Sequence, residues 1–270
     1  MRARCREAPA RHDGRRYAYP RNLLGPEWTS TRPSAPCDDG RMTLVLWDID
    51  LTLVDYSGIG GRWYSEALSN VFGIALRQLP EFPGRTERSL TVELLTTHGV
   101  DGSEESVQQM FTELVRLADE ARPDLSTLGR ALPGAADVLT AIGRHSDVVQ
   151  SLVTGNLPEL AGYKLEPFGL DRHVDFEVGG YGSRSLDRHD LVSEAMALAS
   201  GKYGREFSPS SVVVIGDSPL DMQAGLHHGT VTVGVATGRH DEEQLHAAGA
   251  HAVLPSLADT TAVLELLLSP

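Results

Sequence analysis

A chain of 270 residues with 41% hydrophobic content is long enough for one large α/β domain, or for a core domain carrying a smaller insertion. Its formal charge of −13 excludes the broad basic face that nucleic acids and acidic membranes require, though not a small anion held by a local field. No apolar run has the length of a membrane span or the pattern of a secretion signal, so the expected location is the cytoplasm, with no nucleic-acid or membrane partner.

Residues 1–41 hold nine arginines against five acids, several prolines and no apolar period, which predicts a disordered extension without chemistry. Both cysteines, Cys5 and Cys37, fall in it, so the remaining chain has no disulfide framework. An Arg-rich leader resembles an organellar transit peptide, but Pro9 and Pro20 interrupt any amphipathic helix. Met42, directly before the first strand, reads as an alternative start.

Leu44–Trp47 predicts a buried strand, and it stops in Asp48-Ile49-Asp50. Two carboxylates with one residue between them repel each other, and burying either costs several kcal/mol without compensation. Keeping both points to a hard cation and to a carboxylate used as a reagent. From 57 to 130 the pattern is helical (Arg62–Phe72, Glu87–His98, Glu104–Arg122) with no convincing strand, joined through Ser57-Gly58-Ile59-Gly60-Gly61 and again near Leu132-Pro133-Gly134. That segment reads as an inserted cap. Helix Pro133–Gly143, strand Val148–Val153 and helix Leu157–Phe168 follow, then strand Val174–Val178 and helix Asp187–Ser200. Strand Val212–Ile215 precedes helix Leu220–His228, strand Val231–Val235, helix Glu242–Gly249, a short strand Ala252–Leu254 and helix Ser256–Leu268.

This alternation implies an α/β fold: a doubly wound, mostly parallel sheet with a Rossmann-like core over 42–56 and 131–270, and a helical cap over 57–130. Three strands end in polar residues, at Asp48 and Asp50, at Thr154-Gly155-Asn156, and at Gly216-Asp217-Ser218. Open parallel sheets place their sites at such carboxyl ends. The ten histidines show no ligand spacing, and Trp63 and Tyr64 read as packing for the cap.

In order along the chain, Asp48-Ile49-Asp50-Leu51-Thr52, the apolar strand ending in Thr154, and Gly216-Asp217-Ser218-Pro219-Leu220-Asp221 resemble the haloacid dehalogenase superfamily. The likeness runs over about 42–260 and is to the phosphatase branch with a helical cap after the first strand, phosphoglycolate-phosphatase-like. It implies Mg²⁺-dependent hydrolysis of a small phosphorylated metabolite. Asp48 is then the nucleophile that forms an aspartyl-phosphate, and Asp50 is the acid and base, also a metal ligand through its backbone carbonyl. Asp217 supplies the distant metal carboxylate, and Asp221 a water-mediated or supporting one. Thr154, Gly155 and Asn156 hold phosphate oxygens where Pro158 opens a helix.

One motif departs from that family's pattern. The segment expected to carry a Lys reads Ser185-Leu186-Asp187-Arg188-His189-Asp190. Arg188 is the expected cation for Asp48 and the phosphate, with Lys164 as its rival. Each residue also has a plainer reading: Asp221 as a helix N-terminal acid, Thr154-Gly155-Asn156 as a loop cap, Arg188 and Arg85 as surface cations. Haloacid dehalogenase or phosphomutase activity on the same core, and non-catalytic phosphate binding, are the alternatives.

Overall fold

A computed structural model of the chain describes residues 42–268; the expectations for residues 1–41 lie outside the described residues. The central strand β1 (Thr43–Trp47) pairs in parallel with β4 (Val148–Thr154) on one side and β6 (Val212–Gly216) on the other. Beyond β4 lies β5 (Gly180–Tyr181), and beyond β6 lie β7 (Val231–Val235) and β8 (Ala252–Leu254), giving the order β5-β4-β1-β6-β7-β8. Every pairing in this sheet is parallel. The strand order therefore reverses direction at β1, and a crevice opens beyond its carboxyl end.

Alternate residues of β1 feed two cores. Val45 and Trp47 belong to one apolar cluster together with residues of α5 (Ala135–Ile142) and α10 (Thr260–Leu268). Leu44 and Leu46 belong to the other, with α7 (Arg188–Tyr203) and Ala224 of α8 (Pro219–His227). A strand buried on both faces reads as a continuous apolar run, which is how Leu44–Trp47 reads. The remaining core helices are α6 (Pro158–Leu165) and α9 (Glu242–Ala247).

Between the first two long strands the chain leaves the sheet through a two-stranded antiparallel ribbon, β2 (Val54–Asp55) with β3 (Arg130–Ala131), which the sequence did not reveal. The ribbon is closed by an ion pair of 2.6 Å between Arg130 and Asp55. Four helices fill the interval: α1 (Ile59–Phe72), α2 (Glu87–Thr97), α3 (Glu104–Ala121) and α4 (Leu125–Leu128). The glycine-rich stretch is not a linker throughout, since Gly60 and Gly61 already lie within α1. Thr86 and Ser103 cap α2 and α3 by accepting from the N–H groups of Ser89 and Ser106.

The strand expected over 174–178 does not form. That segment instead makes two short 3₁₀ turns, at 171–173 and 176–178, and the edge strand β5 begins at Gly180. Asp175 decides this: its carboxylate accepts from the Glu177 N–H and pairs with Lys202 and Tyr203, a local set of partners that an extended strand would forfeit. No helix among the described residues is long and apolar enough to cross a membrane.

Candidate active site

At the end of β1 the chain makes a tight turn in which the Leu53 and Val54 amides both donate to the Ile49 carbonyl. Leu51 sits in this turn at φ 62°, a left-handed conformation that costs a side-chain-bearing residue about 1–2 kcal/mol. Its carbonyl accepts from Thr237 Oγ1 at 2.6 Å, which helps hold the turn in place. The turn delivers Asp48 and Asp50 to the crevice with different surroundings.

Asp48 is buried and faces Asp217 and Asp221, so that one carboxylate oxygen from each lies within 4.8 Å of the others. Burial, reinforced by neighbouring carboxylates and only partly offset at Asp48 by the Arg188 guanidinium, pushes Asp48 up to about 7 and Asp217 up to about 9. Asp217 follows β6 and its carboxylate makes no hydrogen bond or ion pair among the described residues. Gly238 packs so closely on it that a Cβ there would overlap its Oδ2. Three buried carboxylates, one of them without a partner, fit a hard divalent cation with oxygen ligands. Asp221 is already engaged: its Oδ2 accepts from the Ser218 N–H at 3.1 Å and the Ser218 hydroxyl at 2.6 Å, in the capping box of α8. Both the plain reading of Asp221 and its place in the acidic group hold together.

Arg188, the first residue of α7, reaches into this group from a position 7% exposed. Its Nη2 lies 2.6 Å from Asp48 Oδ1 and 2.5 Å from Asp221 Oδ1, and donates to the Val153 carbonyl at 3.2 Å. Nε is buried without a partner. The structure thus places Arg188, and not Lys164, beside Asp48.

Lys164 has a separate position. From α6 its ammonium lies 2.9 Å and 2.7 Å from the two carboxylate oxygens of Asp50 and 2.6 Å from Asn156 Oδ1. Asn156 Nδ2 in turn donates to Asp50 Oδ2 and to Thr154 Oγ1, each at 2.8 Å. The Asp50 carboxylate is thus engaged by Lys164 and Asn156 and is not one of the three that converge at Asp48, although it lines the same cavity. Thr154 is fully buried beneath the loop, and Pro158 occupies the first position of α6 as expected. A second group of possible ligands, Asp187, His189 and Asp190, lies at the surface outside the crevice.

A cavity of about 280 Å³ opens over these residues, walled by the helical segment. Asp48, Asp50, Thr154, Gly155, Asn156, Lys164, Arg188 and Asp217 all line it, while Asp221 stands behind. The helical segment contributes Trp63, Tyr64, Phe82, Arg85, Glu87 and Leu90. Arg85 faces the cavity, but its guanidinium is paired at 2.5 Å with Glu93. Main-chain bonds dock this wall on the core, from the Glu87 N–H to the Gly155 carbonyl at 2.8 Å and from the Arg88 N–H to the Gly182 carbonyl at 2.9 Å. Tyr64 packs in the core of the helical segment, as expected, and in addition donates to Glu87. Glu87 gives no signal of its own in the sequence, since an acid in the first turn of a helix reads as a favourable dipole contact.

Residues 45–225 match the family model described as haloacid dehalogenase-like hydrolase. No curated protein matches the chain. Among solved structures, a hydrolase from Pseudomonas syringae aligns with TM-score 0.60 and 22% identity, covering 84% of this chain and all of its own. CbbY from Rhodobacter sphaeroides, in complex with phosphate, gives 0.60 and 18%, covering 81% of this chain and 96% of its own. A predicted phosphoglycolate phosphatase from Haemophilus somnus 129pt gives 0.59 and 19%, covering 82% and 97%. At these identities the likeness is one of fold.

Proposed function

The chain belongs to the haloacid dehalogenase-like hydrolase family, and on that premise we propose that it is a phosphatase that hydrolyses small phosphomonoesters with Mg²⁺, using Asp48 as nucleophile. The observation that carries this reading is the buried trio of Asp48, Asp217 and Asp221, with Arg188 fixed on Asp48 at 2.6 Å. Asp48 and Asp217, together with the Asp50 backbone carbonyl, would hold Mg²⁺, with Asp221 in support. When bound, Mg²⁺ neutralises charge on the transferring phosphoryl group.

The side chains divide the remaining work. Arg188 ties down Asp48 Oδ1, which leaves Oδ2 to attack phosphorus in line with the ester oxygen. The bond from Oδ2 to phosphorus forms as the bond to the leaving oxygen breaks. Protonated Asp50 gives its proton to that oxygen, releasing the alcohol. Asp50 then takes a proton from water, whose oxygen attacks the phosphoryl group on Asp48, and the carboxylate is regenerated with release of phosphate. Thr154 and the amides of Gly155 and Asn156 would hold the phosphate oxygens, and Lys164 keeps Asp50 oriented between the two steps. The helical segment acts as the cap, walling the cavity against solvent. Dehalogenation needs neither the carboxylate trio nor an acid at position 50, so the site favours phosphoryl transfer.

The test is hydrolysis of p-nitrophenyl phosphate by the full chain. Turnover is expected with Mg²⁺, and none is expected in EDTA or in Asp48→Asn. Activity that survives either change removes the mechanism.

A further inference from the structure

One buried ionisable group takes no part in the chemistry above. Glu87, the first residue of α2, is 9% exposed and lines the cavity. Its Oε2 accepts from the Tyr64 hydroxyl, which also contacts Thr91 Oγ1 at 3.2 Å. No hydrogen bond or ion pair reaches Oε1 among the described residues. The backbone is fixed as well, because the Glu87 N–H is bound to the Gly155 carbonyl of the phosphate loop.

The helix does not need this carboxylate as a cap, since Thr86 already accepts from Ser89. Packing does not need it either: the helical side of the cavity that Glu87 lines also carries Trp63, Phe82, Leu90 and Leu114, and an apolar side chain there would avoid the cost of burying a charge. Nearby cations are engaged elsewhere, Arg85 with Glu93, Lys164 with Asp50 and Arg188 with Asp48. Burial, outweighing the Tyr64 hydrogen bond and the charge of Lys164, raises the Glu87 carboxyl above its ordinary value. The group therefore gains from any further donor brought to it.

We propose that Glu87, held by Tyr64, reads the leaving group by accepting a hydrogen bond from one of its hydroxyls, so that the substrates are sugar or polyol phosphates and not carboxylate-bearing esters such as phosphoglycolate. This deepens the phosphatase reading and rests on it. With the phosphate at Asp48 and the loop after β4, the non-phosphate part occupies the rest of the cavity under the cap, whose lining includes Glu87. A hydroxyl there completes the free oxygen of Glu87, whereas a second carboxylate meets like charge in a site of low dielectric. Sites built to bond a substrate hydroxyl discriminate strongly against the analogue lacking it.

The experiment compares kcat/KM of the full chain with Mg²⁺ for hexose phosphates, their deoxy counterparts, glycerol phosphate, phosphoglycolate and p-nitrophenyl phosphate. In the wild type, hydroxylated esters should exceed both their deoxy counterparts and phosphoglycolate. In Glu87→Gln the ratio of kcat/KM for the best hydroxylated ester to that for p-nitrophenyl phosphate should fall by about tenfold or more. The disadvantage of phosphoglycolate should narrow. Tyr64→Phe, which frees Glu87 without removing it, should lower the same ratio by a smaller factor. A structural role alone would move every substrate together and leave the ratio unchanged. An unchanged ratio, or phosphoglycolate as the best wild-type substrate, overturns the proposal while the phosphatase reading stands. Absence of any turnover, p-nitrophenyl phosphate included, removes both.

Discussion

Lys164 holds Asp50 by both carboxylate oxygens, at 2.9 and 2.7 Å, while Arg188 holds Asp48. The two cations weighed against each other for one role occupy two places, 24 positions apart in the chain and on different helices. Each aspartate of the Asp-x-Asp pair thereby acquires its own basic partner. This separation makes the pairs individually testable.

Removing Lys164 should act through Asp50. Lys164→Met and Asp50→Asn are each expected to lower kcat/KM, and the double variant should lose much less than the two losses combined. The interaction energy should fall at about 0.5–3 kcal/mol, the range for residues in one network. A double-mutant cycle of initial rates measures it, and additive losses would mean that the two side chains work independently.

Arg188 should matter to the fold as well as to turnover. Arg188→Ala leaves Asp48 and Asp221 buried without their cation, a change that costs about 3–5 kcal/mol when a buried pair is broken from one side. Urea denaturation in EDTA checks this. A loss under 1 kcal/mol would show that water or rearrangement already compensates the carboxylates.

The metal-free protein should lose stability as pH rises. Asp48 and Asp217 have folded-state values raised from 3.8 to about 7 and about 9, so their favourable contribution is fully present below 3.8. It is lost as the pH climbs from there through the raised values, because over that range the unfolded state has released protons that the folded state still holds. Thermal melts in EDTA from pH 5 to pH 9 should show a falling Tm, if other groups titrating in that window are matched by an Asp217→Asn control. Mg²⁺ should restore more of the Tm at pH 9 than at pH 5. A flat difference between wild type and control across this range would contradict the assignment of the site.

The parts of this molecule that the sequence displays are those where one short segment carries the whole signal. β1 and β6 each combine an apolar run with acidic residues at the end, and both strands and acids are where they were expected. Arg188 was singled out only through the family resemblance, as the cation in the segment where a Lys is expected, and the fold brings its guanidinium to Asp48. Lys164 was harder, since its partner Asp50 is 114 positions away and only the packing of α6 brings them together. The Tyr64 and Glu87 pair spans two helices of the inserted segment, whose mutual orientation no periodicity encodes. Over 174–178 the apolar composition suggested a strand, but the side chain of Asp175 captured the backbone locally. The ribbon of β2 and β3 is two residues per strand, too short to leave a pattern.

A last prediction concerns the contact between the helical wall and the core. At Gly182 a Cβ would run into the Gly155 carbonyl and crowd the Glu87 amide nitrogen. Gly182→Ala should therefore cost about 1–3 kcal/mol, as overpacking does. It should also impair turnover beyond that loss, measured on protein that circular dichroism shows to be folded. Wild-type stability and rates in this variant would show that the wall yields freely.

The same crowding at Gly155, where a Cβ would overlap the Arg85 carbonyl, puts two residues without side chains at the seam between the reactive floor and its roof. Natural drift or laboratory selection for a new substrate can therefore vary the inner lining of the roof far more freely than this line of contact with the core. Any library that randomises positions 155 or 182 will spend most of its members on proteins that keep the sheet but lose the fit of the helical wall against it.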